Sequence, residues 1–361
     1  MDSELAELTR HLGRLATHYD VTSEWPEKTL AHLTAAGAWR WAIPKTHGGY
    51  ELDPVSQLRA YEAVAAGCMA SLLILTQRDR ACEFIAAASD EGLRDELLPQ
   101  LTDHEFMTSV GISQIGTGQR SGRPALAARE EEGGFLLRGF MPWVTSATQC
   151  RFVVAGAVLP DDRQILGLLP TDRPGVVVDT PIKLMALECT QTAEIHCRDV
   201  FLEDRYVLRG PAEQVLSSRS AVKPLVVAVA GIGHASALLR IVVTHASKTT
   251  SRLNELAEEL AARYDAVRER IYKYADTLNH PDARIPKTEL RVAVNDLLVR
   301  LAVATLTCAR GSGLIRQRDA QRLVREAFFF LVWSASEEVR VETLARLLDD
   351  PSPVERTMPS D

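Results

Sequence analysis

The chain offers few side chains whose types and spacing could do chemistry. Its six cysteines are scattered without a Cys-x-x-Cys pair, and its nine histidines include no set with the spacing of a metal site. The pattern therefore predicts no metal centre. Ser334 lies in an apolar and aromatic stretch from Phe328 to Ala335. A serine hydroxyl acts as a nucleophile or base only when a neighbouring base activates it, and no catalytic triad is recognisable.

A glycine-rich stretch from Gly116 to Gly122 is a second candidate for chemistry. Successive backbone N–H groups in such a loop can bind a phosphate. The stretch lacks the Gly-Lys-Ser/Thr ending and the strand-to-helix context of a nucleotide-binding P-loop. A flexible surface loop explains the glycines equally well, so both interpretations stay open.

Hydrophobic periodicity divides the chain into three regions and a tail. Residues 1–105 contain apolar residues at three- and four-residue steps, which predicts an N-terminal α-helical domain. Residues 106–208 contain short apolar runs separated by turn residues, which predicts a middle β domain of mostly antiparallel strands. Residues 209–349 return to helical periodicity, and residues 350–361 are predicted to form a flexible tail.

The C-terminal region is predicted to contain long amphipathic helices. An apolar stripe runs from Leu253 to Leu278 with charged residues between its members, and it predicts one such helix. Two further helices are predicted from about Lys287 to Cys308 and from about Arg318 to Leu348. The stripe is expected to pack inside a helical bundle and to contribute to a subunit interface.

Composition and charge exclude several classes of protein. Hydrophobic residues make up 46% of the 361 residues, charged residues make up 25%, and the formal net charge is −7. No run of Lys or Arg suggests nucleic-acid binding. The most apolar window, residues 224–243, contains His234 and Arg240, which favours a buried helix over a membrane span. The acidic N-terminus lacks a signal-peptide pattern, so a cytoplasmic protein is expected.

Five short motifs occur in an order that resembles one known family. They are the loop 43–50, the Leu-Pro-Gln-Leu stretch 98–101, the segment 139–145, the segment 198–204 and the segment 325–340. Together they resemble motifs of the acyl-CoA dehydrogenase superfamily. The resemblance implies an α+β multidomain fold, with an N-terminal α-helical domain, a central antiparallel β domain and a C-terminal four-helix bundle.

The same resemblance implies a flavin site in the middle domain. Trp143 and Thr145 match residues that lie against the isoalloxazine ring in that family, and alternation along a strand would place them on one face. Ser113, Gly116 and Thr117 match a nearby loop. The implied cofactor is FAD, or a reduced flavin that a separate reductase supplies. An ordinary strand with a buried Trp explains the pair without a cofactor.

The resemblance also implies a substrate pocket that includes Trp333, Ser334 and Ala335. Trp333 takes the position of the family's Tyr, and Ser334 takes the position of the Glu that removes an α-proton from the substrate in many members. Lys223 takes the alternative position of that base. Removal of such a proton requires a base of suitable pKa within hydrogen-bond reach. The catalytic residue therefore stays unknown, and ordinary acyl-CoA desaturation is disfavoured.

Two functional classes remain open at the level of sequence. The first is an atypical flavin-dependent oxidoreductase that performs CH–CH oxidation or flavin- and oxygen-dependent monooxygenation of the class D type. Its substrate would be a small molecule or an acyl thioester, and the fold implies a homodimer or homotetramer. The second is a non-catalytic paralogue that acts as a binding or partner subunit. The weak counterparts of the family's diphosphate-binding motifs, at 247–252 and 311–313, favour the second class.

Overall fold

The computed structural model describes residues 2–117, 125–216, 222–248, 251–278, 280 and 284–349. The predicted tail at 350–361 and most of the glycine-rich stretch lie outside the described residues. The chain forms two compact units. The first unit comprises residues 1–57 and 67–220, and the second unit comprises residues 58–66 and 221–361.

The first unit combines helices with one sheet. Its helices are α1 (Asp2–Thr22), α2 (Glu27–Ala35), the ends of α3 (Pro54–Gly67), α4 (Met69–Ala86), α5 (Glu91–Leu97) and α6 (Ser113–Thr117). Its strands are β1 (Met107–Gly111), β2 (Leu126–Glu131), β3 (Gly134–Val144), β4 (Cys150–Val158), β5 (Gln164–Pro170), β6 (Val176–Val178), β7 (Ala193–Glu203) and β8 (Val207–Ala212).

The strands form an eight-stranded sheet with the order β6-β7-β3-β2-β4-β5-β8, and β1 also pairs with β4. The two pairings between β1 and β4 and between β2 and β4 are parallel, whereas the other five are antiparallel. The prediction of a mostly antiparallel sheet is confirmed. β5 is buried along its whole length. Its apolar sequence agrees with this central position, since both faces of such a strand are covered.

Three predicted turns of the middle region have the backbone that their residues favour. Gly133 joins β2 to β3 with a φ of +79°, and Gly175 precedes β6 with a φ of +91°. Asp162, between β4 and β5, has a φ of +67°. Glycine and, less often, aspartate tolerate this left-handed region, so the turn residues fix where these strands end.

The second unit is helical. Its helices are α7 (Val226–Ala246), α8 (Ser251–Ala275), α9 (Lys287–Ala309), α10 (Asp319–Phe329) and α11 (Glu337–Asp349). Helices α7, α8, α9 and α10 pack on one another, and α11 packs on α9. The predicted order of helices, sheet and helices is confirmed. Leu253 and Leu260 of the predicted stripe pack against the core of this unit, whereas Leu256 is exposed.

The predicted single helix from Arg318 to Leu348 is wrong. The chain leaves helical geometry after Phe329 and resumes it at Glu337. Ser334, in the intervening turn, has a φ of +50°. An L-residue in this left-handed conformation cannot continue a right-handed α-helix, so the segment divides into α10 and α11.

Helices α7 and α9 are long and apolar enough to cross a membrane by length and composition alone. Most of their apolar windows is buried inside the protein. They are therefore core helices of the second unit, as the sequence predicts for the window that contains His234.

All six cysteines are free and buried. Burial raises the pKa of the Cys82 thiol to about 12 and that of Cys197 to about 12. The thiolate is the reactive form of cysteine, so these side chains act as small apolar groups of the core.

A buried polar cluster joins α7 to α10 in the second unit. His234 is fully buried, and its Nε2 donates to the Leu323 carbonyl oxygen at 2.8 Å. The Arg322 guanidinium donates to Glu326 at 2.9 Å, and the His234 Nδ1 lies 3.7 Å from the same carboxylate. Burial, followed by the charge of Arg322, lowers the pKa of His234 to about 4.

We expect His234 to make the protein sensitive to acid. Because its pKa is about 4 in the folded protein and about 6.5 in an unfolded chain, the unfolded chain takes up a proton first as pH falls. The contribution of the neutral His234 ring to the free energy of unfolding is complete above pH 6.5. It is lost as pH falls from 6.5 to 4, and the total loss is about 3 kcal/mol. Thermal unfolding across this pH range should show a weaker acid dependence in His234→Gln, which keeps a donor for Leu323. An equal acid dependence in His234→Gln and wild type would contradict this assignment, and His18→Gln is the exposed control.

Candidate functional site

The predicted flavin pair lies at the C-terminal end of β3. The Trp143 side chain is 54% exposed, whereas Thr145 lies one residue beyond the strand and is 8% exposed. The predicted common face of the two residues stays a prediction, and their side chains differ strongly in exposure. The pairing of β3 with β7 shifts between Met141 and Val144, so the alternation is interrupted before Thr145.

Gly139 begins the irregular part of β3. It has a φ of +128°, and a Cβ atom at this position would lie 2.0 Å from the Ala125 carbonyl oxygen. The Phe140 N–H donates to this same oxygen at 2.8 Å. Only glycine permits such an approach, and the resulting irregularity re-aims the residues that follow. The glycine of the motif 139–145 thus determines how Trp143 is presented.

Helix α6 follows β1 and contacts both β3 and β4. A Cβ atom at Gly111 would meet the Met141 side chain, and one at Gly156 would meet Ile115, both at 2.4 Å. The absence of a side chain at Gly156 allows α6 to sit directly on the sheet, and its absence at Gly111 allows β1 to approach β3. Its first residue, Ser113, is exposed. The structure therefore brings Ser113 to the part of the sheet where β3 ends.

Gln114 fixes the start of α6. Its Nε2 donates to the carbonyl oxygens of Gly111 and Gly156, both at 2.8 Å. Its Oε1 and the Ser146 Oγ are buried, and neither has a hydrogen-bond partner among the described residues. The backbone of Gly116 and Thr117 forms the end of α6, and the Thr117 side chain lies outside the described part of the chain. The exposed Trp143 indole and these polar groups fit a planar, conjugated ligand that carries polar edges.

The predicted substrate residues lie in the second unit, in the turn between α10 and α11. Trp333 and Ala335 are half-buried, and Ser334 is exposed. The Trp333 N–H donates to the Phe329 carbonyl oxygen at 2.9 Å. Ser336 begins α11, where its Oγ accepts the Val339 N–H at 3.3 Å. The structure thus brings the three predicted residues together on one short turn.

Aromatic side chains pack beneath this turn. The Phe329 and Trp333 rings stack with centroids 5.3 Å apart, and the Phe330 ring meets Trp333 edge-on at 5.9 Å. Phe330 is fully buried and also lies 5.8 Å from the His234 ring. Such pairs stabilise a packed arrangement beyond simple burial. They hold the Trp333 indole in place at the base of the turn.

Arg291 of α9 binds the backbone of the same turn. Its Nη2 donates to the Phe330 carbonyl oxygen and, at 2.8 Å, to the Trp333 carbonyl oxygen. The side chain is buried, with 7% of its surface exposed. Burial lowers the pKa of the guanidinium to about 10, so it stays charged at neutral pH.

Several carboxylates of the second unit are already bound to arginines. Glu62 of α3 accepts from Arg268 at 2.6 Å and also from the Tyr272 hydroxyl. Glu326 accepts from Arg322, as described above. Lys223, at the alternative base position, is exposed in the turn before α7. Neither position that the family resemblance names for a base carries a carboxylate.

One cluster of polar side chains on the sheet does not follow from the spacing of its residues in the sequence. The oxygen and nitrogen atoms of Asp179, Glu194 and His196 lie within 4.8 Å of one another. The pairing of β6 with β7 brings Asp179 next to residues far along the chain. The His196 Nε2 lies 3.1 Å from Asp179 and 3.5 Å from Glu194. The hydrogen bond between His196 and Asp179 at the surface accounts for this group.

Comparison with known proteins agrees with this architecture. Residues 6–105 match the family model described as acyl-CoA dehydrogenase, N-terminal domain. The probable acyl-CoA dehydrogenase YngJ of Bacillus subtilis is 23% identical over 353 residues, which cover 92% of each chain. The chain belongs to the acyl-CoA dehydrogenase superfamily. A solved glutaryl-coenzyme A dehydrogenase complex matches 96% of this chain and 94% of that chain, with a TM-score of 0.83 and 18% identity.

The superfamily similarity extends to an enzyme with different chemistry. The isobutylamine N-hydroxylase of Streptomyces viridifaciens is 22% identical over 216 residues, covering 56% of this chain and 57% of that protein. Members of the superfamily related to this chain therefore include both dehydrogenases and an N-hydroxylase. Membership supports a flavin-dependent oxidoreductase as the general class.

Sequence reasoning missed Gln114, Arg291 and Glu62 in this superfamily member. Each makes contacts with residues that are distant in sequence, so periodicity gives no sign of its role. For Arg291 one signal was present, because it lies between apolar residues in a helix whose neighbours Leu290 and Val292 are buried. A charged residue on the buried face of a helix requires partners and is a reason to look for a specific role.

We expect Ser334→Gly to stabilise the protein by about 0.5–1 kcal/mol. The left-handed backbone costs an L-residue roughly 1–2 kcal/mol, and glycine avoids this cost while losing some chain entropy. Thermal unfolding measures the change. Ser336→Gly is the matched control and should give no gain, because it removes the hydroxyl that accepts the Val339 N–H. A loss of stability in Ser334→Gly would contradict the left-handed turn.

Proposed function

We propose that the chain is an FAD-dependent oxidoreductase that does not use residue 334 as a base. The observation that carries the proposal is Trp143, a large indole that is 54% exposed where β3 becomes irregular. A single exposed aromatic residue is ordinary on a protein surface, so the interpretation of this indole depends on its place in the motif 139–145. Superfamily membership makes a flavin ring the best candidate for the partner that covers it.

The residues of the first unit would bind and orient this ring. FAD would supply the capacity to accept hydride from a substrate or, once reduced, to transfer electrons to oxygen. Trp143 would pack against the ring, and the Thr145 hydroxyl would donate to its polar edge. Ser113, Gly116 and Thr117 would lie nearby on α6. These residues set the position and the electronic environment of the ring.

The residues of the second unit determine which reaction is feasible. Ser334 is exposed on its turn and has no carboxylate, so it cannot remove an α-proton from an acyl thioester. Trp333, Ser334 and Ala335 would instead form a weakly polar surface that contacts the substrate. A reaction that needs no α-proton base at residue 334 agrees with these residues. The similar proteins include dehydrogenases and an N-hydroxylase, so the proposal includes both CH–CH oxidation and oxygen-dependent oxidation.

Trp143→Ala should weaken flavin retention, since it removes the aromatic packing surface. Wild-type protein should purify with near-stoichiometric flavin, and the variant should retain much less of it, as measured by the visible absorbance spectrum. Phe201→Ala is the matched control, because Phe201 is also an exposed aromatic residue of the same sheet. Equal flavin content in Trp143→Ala and wild type would remove Trp143 from the site. Wild type without flavin would favour the non-catalytic binding or partner subunit.

Wild type should reduce its flavin slowly, or not at all, with simple saturated acyl-CoAs. Loss of a general base costs on the order of 10²–10⁴ in rate. Anaerobic mixing with a panel of acyl-CoAs, followed by flavin bleaching, measures this rate. Ser334→Glu should increase it if the pocket admits a thioester, and Ser336→Glu is the control two residues away. Rapid flavin bleaching by wild type would contradict the proposal, because it would reveal a competent base elsewhere.

We also propose that the protein is a homodimer or homotetramer. Apolar residues on α11 are strongly exposed: Val341 at 57%, Leu344 at 61% and Leu348 at 82%. Their spacing places them on one face of the helix. Light scattering at micromolar concentration should give a mass above that of one chain, and Leu344→Glu should reduce it. A strict monomer in wild type would exclude this assembly.

A further inference from the structure

Arg291 is a buried cation whose contacts are made with backbone rather than with an acid. It projects from the first turns of α9, and its Nη2 donates to the carbonyl oxygens of Phe330 and Trp333. The guanidinium carbon lies 5.8 Å from the centre of the Phe330 ring. No carboxylate of the described residues lies within ion-pair distance, and the Nε and Nη1 atoms have no described hydrogen-bond partner.

The position of the guanidinium explains how its charge is tolerated. Helix α10 ends at Phe329, and the last carbonyl groups of a helix have no partner within it and carry partial negative charge. Phe330 is the residue that follows α10, and Trp333 lies in the turn after it; their carbonyl oxygens are the two acceptors of the Arg291 guanidinium. Burial of a cation is costly, and charge-assisted hydrogen bonds to these two oxygens offset part of that cost.

The second of these hydrogen bonds bears directly on Ser334. The Trp333 carbonyl and the Ser334 N–H belong to one planar peptide group. A donor that holds this oxygen in place therefore also holds the orientation of the peptide group that joins Trp333 to Ser334. Ser334 then has a φ of +50°, a conformation that an L-residue avoids unless its surroundings impose it.

We propose that Arg291 is the positioning residue that holds the Trp333–Ser334 turn in its left-handed conformation. The proposal rests on the proposed function, in which this turn contacts the substrate. It extends that function by assigning the geometry of the substrate-facing residues to a side chain on another helix. Arg291 itself is buried beneath the turn and acts through the backbone.

Hydrogen–deuterium exchange of the turn amides tests this role without flavin or substrate. In Arg291→Met, the amides of residues 330–335 should exchange roughly tenfold faster than in wild type, because both carbonyl oxygens lose their donor. Arg291→Lys keeps the charge and one donor group and should exchange at an intermediate rate. Arg300→Met is the matched control on the same helix, since Arg300 binds Asp296 at 2.9 Å and is half-buried. It should leave these amides unchanged.

Combination with Ser334→Gly separates positioning from general stability. Glycine adopts the left-handed conformation without help. Ser334→Gly added to Arg291→Met should therefore slow the exchange of the amides of residues 330–335 by about threefold or more, compared with Arg291→Met alone. Added to Arg300→Met, Ser334→Gly should leave the exchange rates of residues 330–335 unchanged. A uniform increase in exchange over all helices of the second unit, or unchanged exchange at 330–335, would overturn the proposal.

The outcome remains decisive if Arg291→Met does not fold. In that case the exchange pattern of Arg291→Lys decides, because a local increase at 330–335 supports the role and a uniform or absent increase overturns it. A protein that binds no flavin would refute the proposed function and leave this result in force.

Discussion

Two carbonyl oxygens just beyond α10, those of Phe330 and Trp333, accept hydrogen bonds from a buried guanidinium of α9. This interaction is central to the candidate substrate turn of the second unit. It lies between α10 and α11, directly before Ser334, whose backbone is left-handed. The aromatic rings of Phe329, Phe330 and Trp333 pack below the same turn and exclude water from its base. A charge without an acidic partner is thereby compatible with a buried core.

In the first unit, glycines allow close backbone approaches near the candidate flavin residues. Gly156 allows α6 to lie against the sheet, Gly111 allows β1 to approach β3, and Gly139 allows β3 to approach Ala125. Trp143 and Ser113 are exposed beside these close approaches. Close backbone approaches thus surround the candidate flavin residues, whereas the side chain of Arg291 and three aromatic rings pack around the candidate substrate residues.

The sequence predicts the order of the elements because periodicity and turn residues are local signals. The stripe that includes Leu253, the turn at Gly133 and the apolar run of β5 all identify their elements correctly. The break between α10 and α11 was not predictable, because every residue from Phe328 to Ala335 is compatible with an apolar helix. The left-handed backbone of Ser334 and the contact of the turn with Arg291 of α9 accompany the break, and neither has a local signal in the sequence.

The candidate site residues follow from sequence motifs, but their geometry does not. Alternation along β3 cannot reveal a register shift, since the shift depends on the pairing with β7. Buried partners such as Gln114 have no local pattern at all. The motif residues were found because they lie close together in sequence, whereas the residues that hold them come from other strands and helices.

The burial of every cysteine has a practical consequence for spectroscopy. Thiol-specific dyes and spin labels react with accessible thiolates, and all six native cysteines lie within the described residues and are buried. A single cysteine introduced at an exposed position, such as Val332 on the functional turn, would then be labelled selectively in the native protein. Fluorescence or paramagnetic probes can therefore report on this turn without any replacement of core thiols.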